Sequence, residues 1–327
     1  METIHTPVLL EETMYYLSPR APGELMIDAT LGEGGHSAAF LERFPDLQIA
    51  GVDTDGEIQA RAKERLLRFG GRVSFYQRWA GEFFSGYPAE LPVPDTILFD
   101  LGISLYHYEG SGRGFSFMRD EYLDMRLDTC HGETAADIIA RLSEKDFADM
   151  LFNNAGERYS RRIASAVHAA KKQSPVTSTA ALAALVVSSV PAAYRRCPIH
   201  PATRTFQALR IAVNGEAEKL PLMLEGALKH LKMGGRLGVI SFHSGEDRTV
   251  KHFFKEKSKG CTTQESGAGS RLSIQTDTPI CRSEGIYSIK ILTRKPVLAG
   301  DEERRNNPPS RSAKFRAVEK ISTGAVS

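Results

Sequence analysis

The chain predicts an α/β protein, a doubly wound sheet of parallel strands interrupted by a block of helices. Three observations carry that prediction. Short apolar runs alternate with amphipathic stretches through the first hundred positions, a purely helical periodicity replaces them from about Gly110, and the alternation resumes beyond Pro201. The runs Leu25 to Ala29, Leu47 to Asp53, Arg72 to Tyr76 and Thr96 to Asp100 read as buried strands. Between the first two, Ala39, Phe40 and Phe44 fall on one helical face, and between the next two so do Ile58, Ala62, Leu66 and Phe69. Strand, helix and strand in alternation require right-handed crossovers, so the ligand crevice is expected at the carboxyl ends of the strands.

The helical block is read from its caps and stripes. Thr134 with Asp137 and Ser143 with Asp146 suit N-caps, followed by Ile138/Leu142 and by Phe147/Met150/Leu151. A third helix follows Tyr159, with Ile163, Val167 and Ala170 inward and Pro175 beyond its end. A fourth, after Thr177, carries Leu182, Leu185 and Val186 and is closed by Pro191. Beyond the block, Thr205 to Asn214 and Leu220 to Met233 read as helices, the second stopped by Gly234-Gly235 as a left-handed cap. Arg236 to Phe242 and Ile286 to Leu292 read as strands, with a polar, Gly/Ser-rich loop over 258–278 between them. The organisation is therefore a first part of the sheet domain over 1–109, an inserted helical domain over 110–205, and a second part over 206–327.

Composition bounds the function classes. With 327 residues, 41% apolar and 25% charged, the chain is long and apolar enough for a large core, which excludes disorder and collagen-like repeats. Four cysteines, with no CxxC and no Cys/His pairing at zinc-finger spacing, suit a reducing compartment, and no metal is expected. The acidic start, METIHTPVLLEE, does not read as a signal peptide, and the apolar run near Ala180 to Val190 is far short of the ~20 residues that span a bilayer. A cytoplasmic protein is expected. A net charge of +2 leaves nucleic-acid binding to local pairs such as Arg161/Arg162, Lys171/Lys172 and Arg195/Arg196, or to a tail carrying Arg311, Lys314 and Arg316. Each pair could equally be a solvated helix face.

Three stretches carry chemistry. Asp28-Ala29-Thr30-Leu31-Gly32-Glu33-Gly34-Gly35-His36 lies where the first strand turns into a helix, and its glycines let a ligand approach backbone amides closely. Asp53 ends the second strand, where a carboxylate accepts hydrogen bonds from ribose hydroxyls. Ser37 stands where a dinucleotide fingerprint has its third glycine, which favours S-adenosylmethionine over NAD. The second stretch, Asp100-Leu101-Gly102-Ile103-Ser104, faces the crevice from the fourth strand, and Asp100 is the candidate for work on a proton. In the third, Arg113 to Phe117 and Tyr122 to Asp128, aromatics mix with paired charges. It could close over a flipped base, with Phe115 or Phe117 stacking and Arg126 on phosphate, or could be a joining segment held by Asp/Arg pairs. His243, in Ser241 to Arg248, returns to the crevice rim.

Taken in order, HTPVLLE (His5 to Glu11), DATLGEGGHS, GVDTD, DLGIS, RGFSF, LDMRLD, HPATRTFQALRIAVN, GGRLGVISFHSGEDR and SAKFR resemble the bacterial small-subunit rRNA cytosine-N4-methyltransferase family (RsmH/MraW) from His5 to about Arg316. The resemblance implies a class I, Rossmann-like S-adenosylmethionine-dependent methyltransferase with an inserted all-helical domain for RNA recognition. It implies N4-methylation of one cytosine in the decoding centre of 16S rRNA, on the small ribosomal subunit. Carried over, the cofactor contacts fall on Gly34, Gly35, His36, Asp53, Asp100 and His107, with Trp79 or Ala80 on the adenine side. Read from the chain's own stretches and not carried over, Asp100 and Ser104 are the candidates at the reacting amine, and Arg113, Phe115, Arg126, Arg204 and His243 the candidates for RNA contact. The chain departs from the family pattern DLGVSSPQLD at Leu105 and His107, and has Gly245 for a usual leucine and Pro309 for a usual arginine. An S-adenosylmethionine-binding assembly factor without turnover, and an NAD-dependent oxidoreductase, are the competing readings.

Overall fold

A computed structural model describes residues 7–258 and 287–322. In chain order it contains α1 (Leu10–Leu17), β1 (Leu25–Asp28), α2 (Gly35–Arg43), β2 (Gln48–Asp53), α3 (Gly56–Leu66), β3 (Val73–Gln77), α4 (Ala80–Ser85), β4 (Thr96–Asp100) and α5 (Leu105–Glu109). The helical block follows as α6 (Ala135–Arg141), α7 (Glu144–Ala155), α8 (Ser160–Lys171), α9 (Thr179–Ser189) and α10 (Ala192–Arg195). The chain then returns through α11 (Thr203–Asn214), α12 (Glu216–His230), β5 (Arg236–Ser241), α13 (Ser244–Lys257), β6 (Tyr287–Ile291), α14 (Asp301–Asn306) and β7 (Lys314–Ser322).

The strands form one sheet in the order β3-β2-β1-β4-β5-β7-β6. The first five pair in parallel, while β7 lies antiparallel between β5 and β6. The parallel pairing expected of the alternating strands holds, and the antiparallel edge adds to it. Lys314 to Ser322, which reads as the end of a basic tail, is a strand, because its charges find partners: Arg316 reaches Asp247 at 2.7 Å, and the Lys320 ammonium donates to the Leu231 carbonyl at 2.7 Å. The order reverses between β1 and β4, and that switch point fixes the crevice.

Alternate residues of each buried strand feed two cores. Leu25, Ile27, Ile97, Phe99 and Val239 pack under α4 and α12, whereas Met26, Ile49, Leu98 and Ile240 pack against α1, α2 and α3. A third core, from Phe115 to Leu209, belongs to the helical block and takes in α11. The caps form as read: Thr134 and Asp137 make a reciprocal capping box, and Ser143 accepts from the Asp146 amide. The Gly234-Gly235 cap is corrected. α12 ends at His230, and Gly234 (φ +78°) instead turns the chain into β5, donating its N–H to Lys320. The loop read over 258–278 falls, past Ser258, outside the described residues.

Candidate active site

The loop after β1 is shaped by its neighbours. Gly32 (φ +53°) donates its N–H to Asp53 Oδ2 at 2.8 Å, and Asp53 Oδ1 accepts from the Asp55 amide at 2.9 Å. Each oxygen keeps a second lone pair for a ligand hydroxyl. Gly34 (φ +74°) precedes α2, and a Cβ there would meet Leu66 at 3.0 Å, so side chain and backbone both demand glycine. Ser37 lies under the loop and donates to Asp28 at 2.6 Å. Burial pushes the Asp28 carboxyl up to about 6, and raises that of Asp53.

Two cavities open from this loop. The larger, of about 560 Å³, runs from Glu33 and His36 across to Phe117 and α11. The smaller, of about 110 Å³, runs between Asp53, Trp79 and His107. They share Thr30, Gly32, Asp100, Gly102, Ile103 and Ser104, so the two ligands they take meet at the end of β4. Asp100 is fixed there by its own N–H, which donates to Thr30 Oγ1 at 2.6 Å, and its Oδ2 lies 3.5 Å from His36 Nδ1. Its Oδ1 is buried and has no hydrogen-bond partner among the described residues. Burial first, then the Asp28 carboxylate, pushes Asp100 up to about 7. Gly102 has no room for a side chain, since a Cβ would lie 2.7 Å from the Phe242 ring. Ser104 caps α5, its Oγ accepting the Tyr106 amide at 3.1 Å, which leaves its hydroxyl proton for a ligand.

A second carboxylate on the same rim has the opposite character. Asp55 Oδ1 caps α3, and Oδ2 receives His107 Nε2 at 2.9 Å and the Arg113 guanidinium. Burial works against its charge, but the hydrogen bonds from His107 and Arg113 outweigh that and hold Asp55 down to about 2. An ionised carboxylate only accepts, so His107 carries its proton on Nε2. Its Nδ1 is buried and without a partner among the described residues, beside the smaller cavity.

These features fit an S-adenosylmethionine molecule. Its ammonium and ribose hydroxyls are donors, and the site offers the Asp53 and Asp100 carboxylates as acceptors on a glycine turn. Trp79 and Ala80 line the same small cavity, and Lys219 covers the Trp79 ring with Nζ 3.6 Å from its centroid. Gly35 and His36 line the larger one, while Gly34 lines neither and acts through its backbone turn.

The residues read as RNA contacts divide. Phe115 and His243 line the larger cavity, whereas Arg113, Arg126 and Arg204 line neither. Arg113 is buried and engaged by Asp55 and by the Arg126 and Leu127 carbonyls, so it ties the insertion to α3 and is not available to phosphate. Arg126 is engaged bidentately by Asp124 at 2.7 and 2.9 Å. The segment is thus held by Asp/Arg pairs, with Met125 in a left-handed conformation (φ +60°) anchored by the Arg113 carbonyl and Asn214. His243 is the N-cap of α13, in a capping box with Glu246, a helix the charge-rich sequence hides. Glu216, His243 and Glu246 bring ligand atoms within 4.8 Å of one another, and Arg210 enters that group with two hydrogen bonds of 2.9 Å to Glu216. The stretch His200 to Arg210 stands out in the sequence as a candidate for chemistry with Arg204 as its site residue, but the residues of it that line the cavity are Thr203, Phe206, Gln207 and Arg210, at helical spacing.

Comparison with known proteins places the chain in a family. Residues 2–321 match the model of the MraW methylase family. The chain is 51% identical over 321 residues to a ribosomal RNA small subunit methyltransferase H of Treponema denticola, covering 98% of each chain. It is 44% identical over 322 residues to one of Syntrophobacter fumaroxidans, covering 97% of this chain and 96% of the relative. Among solved structures, an rRNA methylase from Streptococcus thermophilus aligns over 96% of this chain and 94% of its own, with 10% identity and a TM-score of 0.37.

Proposed function

The chain belongs to the MraW methylase family, and from that premise we propose that it methylates the N4 amine of one cytosine in the decoding centre of 16S rRNA, using S-adenosylmethionine. The observation that carries the reading is the junction of the two cavities at Asp100: one is small and acceptor-lined, the other large and walled by aromatic rings. The substrate is rRNA held in the small ribosomal subunit, met in the cytoplasm. Among the described residues no helix is long and apolar enough to cross a membrane. The helical insertion, residues 110–205, is the RNA-facing domain.

S-adenosylmethionine supplies a methyl group on a positively charged sulfur. Asp53 holds ribose hydroxyls, His107 borders the nucleoside, and Trp79 with Ala80 borders the adenine. The amine of cytosine is a poor nucleophile because its lone pair is delocalised into the ring, so orientation is the main task. Asp100 Oδ1 accepts one N–H of that amine and turns the nitrogen toward the methyl. The proton released as the new N–C bond forms passes to Asp100, whose raised pKa suits a base near neutral pH. Ser104 donates its hydroxyl proton at the same junction. Labelled S-adenosylmethionine incubated with small subunits that lack the modification, followed by nucleoside mass spectrometry, tests the reading. N4-methylcytidine is expected, and cofactor binding without transfer would instead indicate an assembly factor.

A further inference from the structure

We infer that Gln207, with the outer edge of the Arg210 guanidinium, reads the acceptor edge of the target base and so selects cytosine. The inference rests on the cytosine reading above and adds how the base is told from others. α11 turns Thr203, Phe206, Gln207 and Arg210 toward the larger cavity at positions i, i+3, i+4 and i+7, while Thr205, Ala208, Leu209 and Ile211 are buried behind them. A base-reading group on a packed helix is held more rigidly than one on a loop.

The donors are placed by their neighbours. Glu216 takes Nε and Nη2 of Arg210 at 2.9 Å each, which fixes the guanidinium plane and leaves Nη1 unclaimed. The Gln207 carboxamide has no hydrogen-bond partner among the described residues. Asp100, which lines the same cavity, has in its Oδ1 an acceptor in the same condition. Phe117, stacked on His200 at 4.5 Å, and Phe206 supply flat apolar wall between the two sides.

A cavity lined by an unengaged acceptor and by unengaged donors fits a ring that presents an amine followed by acceptors. Cytosine does so with N4–H, N3 and O2. Adenine offers an amine and N1 but a C–H where O2 would be, uracil places a donor at N3, and guanine places an oxygen where the amine must be. Asp100 alone would accept either amine, so the discrimination falls to Gln207 and Arg210.

The test combines a variant with an altered base. Small subunits are reconstituted with either cytosine or 3-deazacytosine at the target, and kcat/KM is measured for the wild-type chain, Gln207→Leu and Gln207→Glu at saturating cofactor. Each single change is expected to lower kcat/KM by roughly ten- to a hundredfold, the range for an unmade hydrogen bond at a desolvated site. Gln207→Leu on 3-deazacytosine should show no further loss, because both changes delete one interaction. Cofactor affinity, read from fluorescence of Trp79, the sole tryptophan of the chain, should stay within twofold. Gln207→Glu keeps size and polarity, so loss in that variant with cofactor affinity intact excludes a folding defect. Wild-type rates in either variant, or additive losses with the altered base, overturn the inference. Absence of transfer by the wild-type chain overturns the cytosine reading itself.

Discussion

Asp55 and Asp100 sit at the carboxyl ends of two β-α units whose strands, β2 and β4, flank β1, yet their charges are treated oppositely. Asp55 is buried with every lone pair engaged, by two backbone amides, His107 and Arg113, and is held down to about 2. Asp100 keeps a buried oxygen with no partner among the described residues and is pushed up to about 7. A satisfied buried carboxylate fixes structure, and an unsatisfied one awaits a ligand. Sequence alone cannot separate them, because the partners of Asp55 come from α5 and from the insertion.

The largest expected effect breaks the comparison from the Asp100 side. Asp100→Asn should lower kcat by a hundredfold or more, the range for losing a general base, with the fold retained. A calorimetric scan should show that variant gaining stability above neutral pH. The folded protein holds the Asp100 proton more tightly than the unfolded chain, whose carboxyl titrates near 3.8, so stability falls as pH rises from there to about 7 and the asparagine escapes that loss. With a quarter of the side chain open to solvent, the gain is about 1–2 kcal/mol. Asp55→Ala should do the reverse, costing about 3–5 kcal/mol by leaving the buried Arg113 without its main carboxylate partner, which urea unfolding would measure. A variant as stable as the wild type would remove Asp55 from the structural side.

The pH profile sharpens the same contrast. In the free enzyme, kcat/KM for S-adenosylmethionine should rise about tenfold per pH unit up to about 7 and then level, because only the Asp100 carboxylate accepts the ammonium and the amine. The kcat profile should level at lower pH, since a bound ammonium favours the charged carboxylate. Asp55, ionised throughout, contributes nothing to either limb. A flat kcat/KM profile between pH 5 and 8 would remove Asp100 from the proton path.

Much of the fold was legible because burial writes itself as pattern. β1, β2, β4 and β5 appear as apolar runs with both faces buried, while the edge strand β3 is only half-buried, and the helices of the insertion show caps and stripes. β7 and α13 were not legible, since their charged residues are satisfied only by partners far along the chain: Arg316 by Asp247, Lys320 by the last carbonyls of α12, and His243 by its own helix amides. The glycine turn, Asp53 and Asp100 could be read because local geometry demands those residue types. The α11 face was hidden by expecting RNA contacts to be arginines; Arg204 turns away from the cavity and Gln207 lines it.

The smallest effect carries the distinction between engaged and unengaged charge to the RNA surface. Lys171 reads as half of a basic pair, but its ammonium donates to the Ile139, Ala140 and Leu142 carbonyls at 2.9, 3.1 and 2.6 Å and closes the end of α6. Lys171→Met should therefore cost about 1 kcal/mol of stability, as for an ordinary hydrogen-bonded cap, and leave the salt dependence of subunit binding unchanged. Arg161 and Arg162 are exposed at the start of α8 and have no ion pair among the described residues. If the insertion faces RNA, replacing either by Glu should make the plot of log binding constant against log salt shallower by roughly 0.7–0.9 for each phosphate no longer neutralised, with stability unchanged. A change of slope in Lys171→Met, or none in the arginine variants, would show that exposure and hydrogen bonding do not sort these cations, and would move the RNA-binding surface to another face.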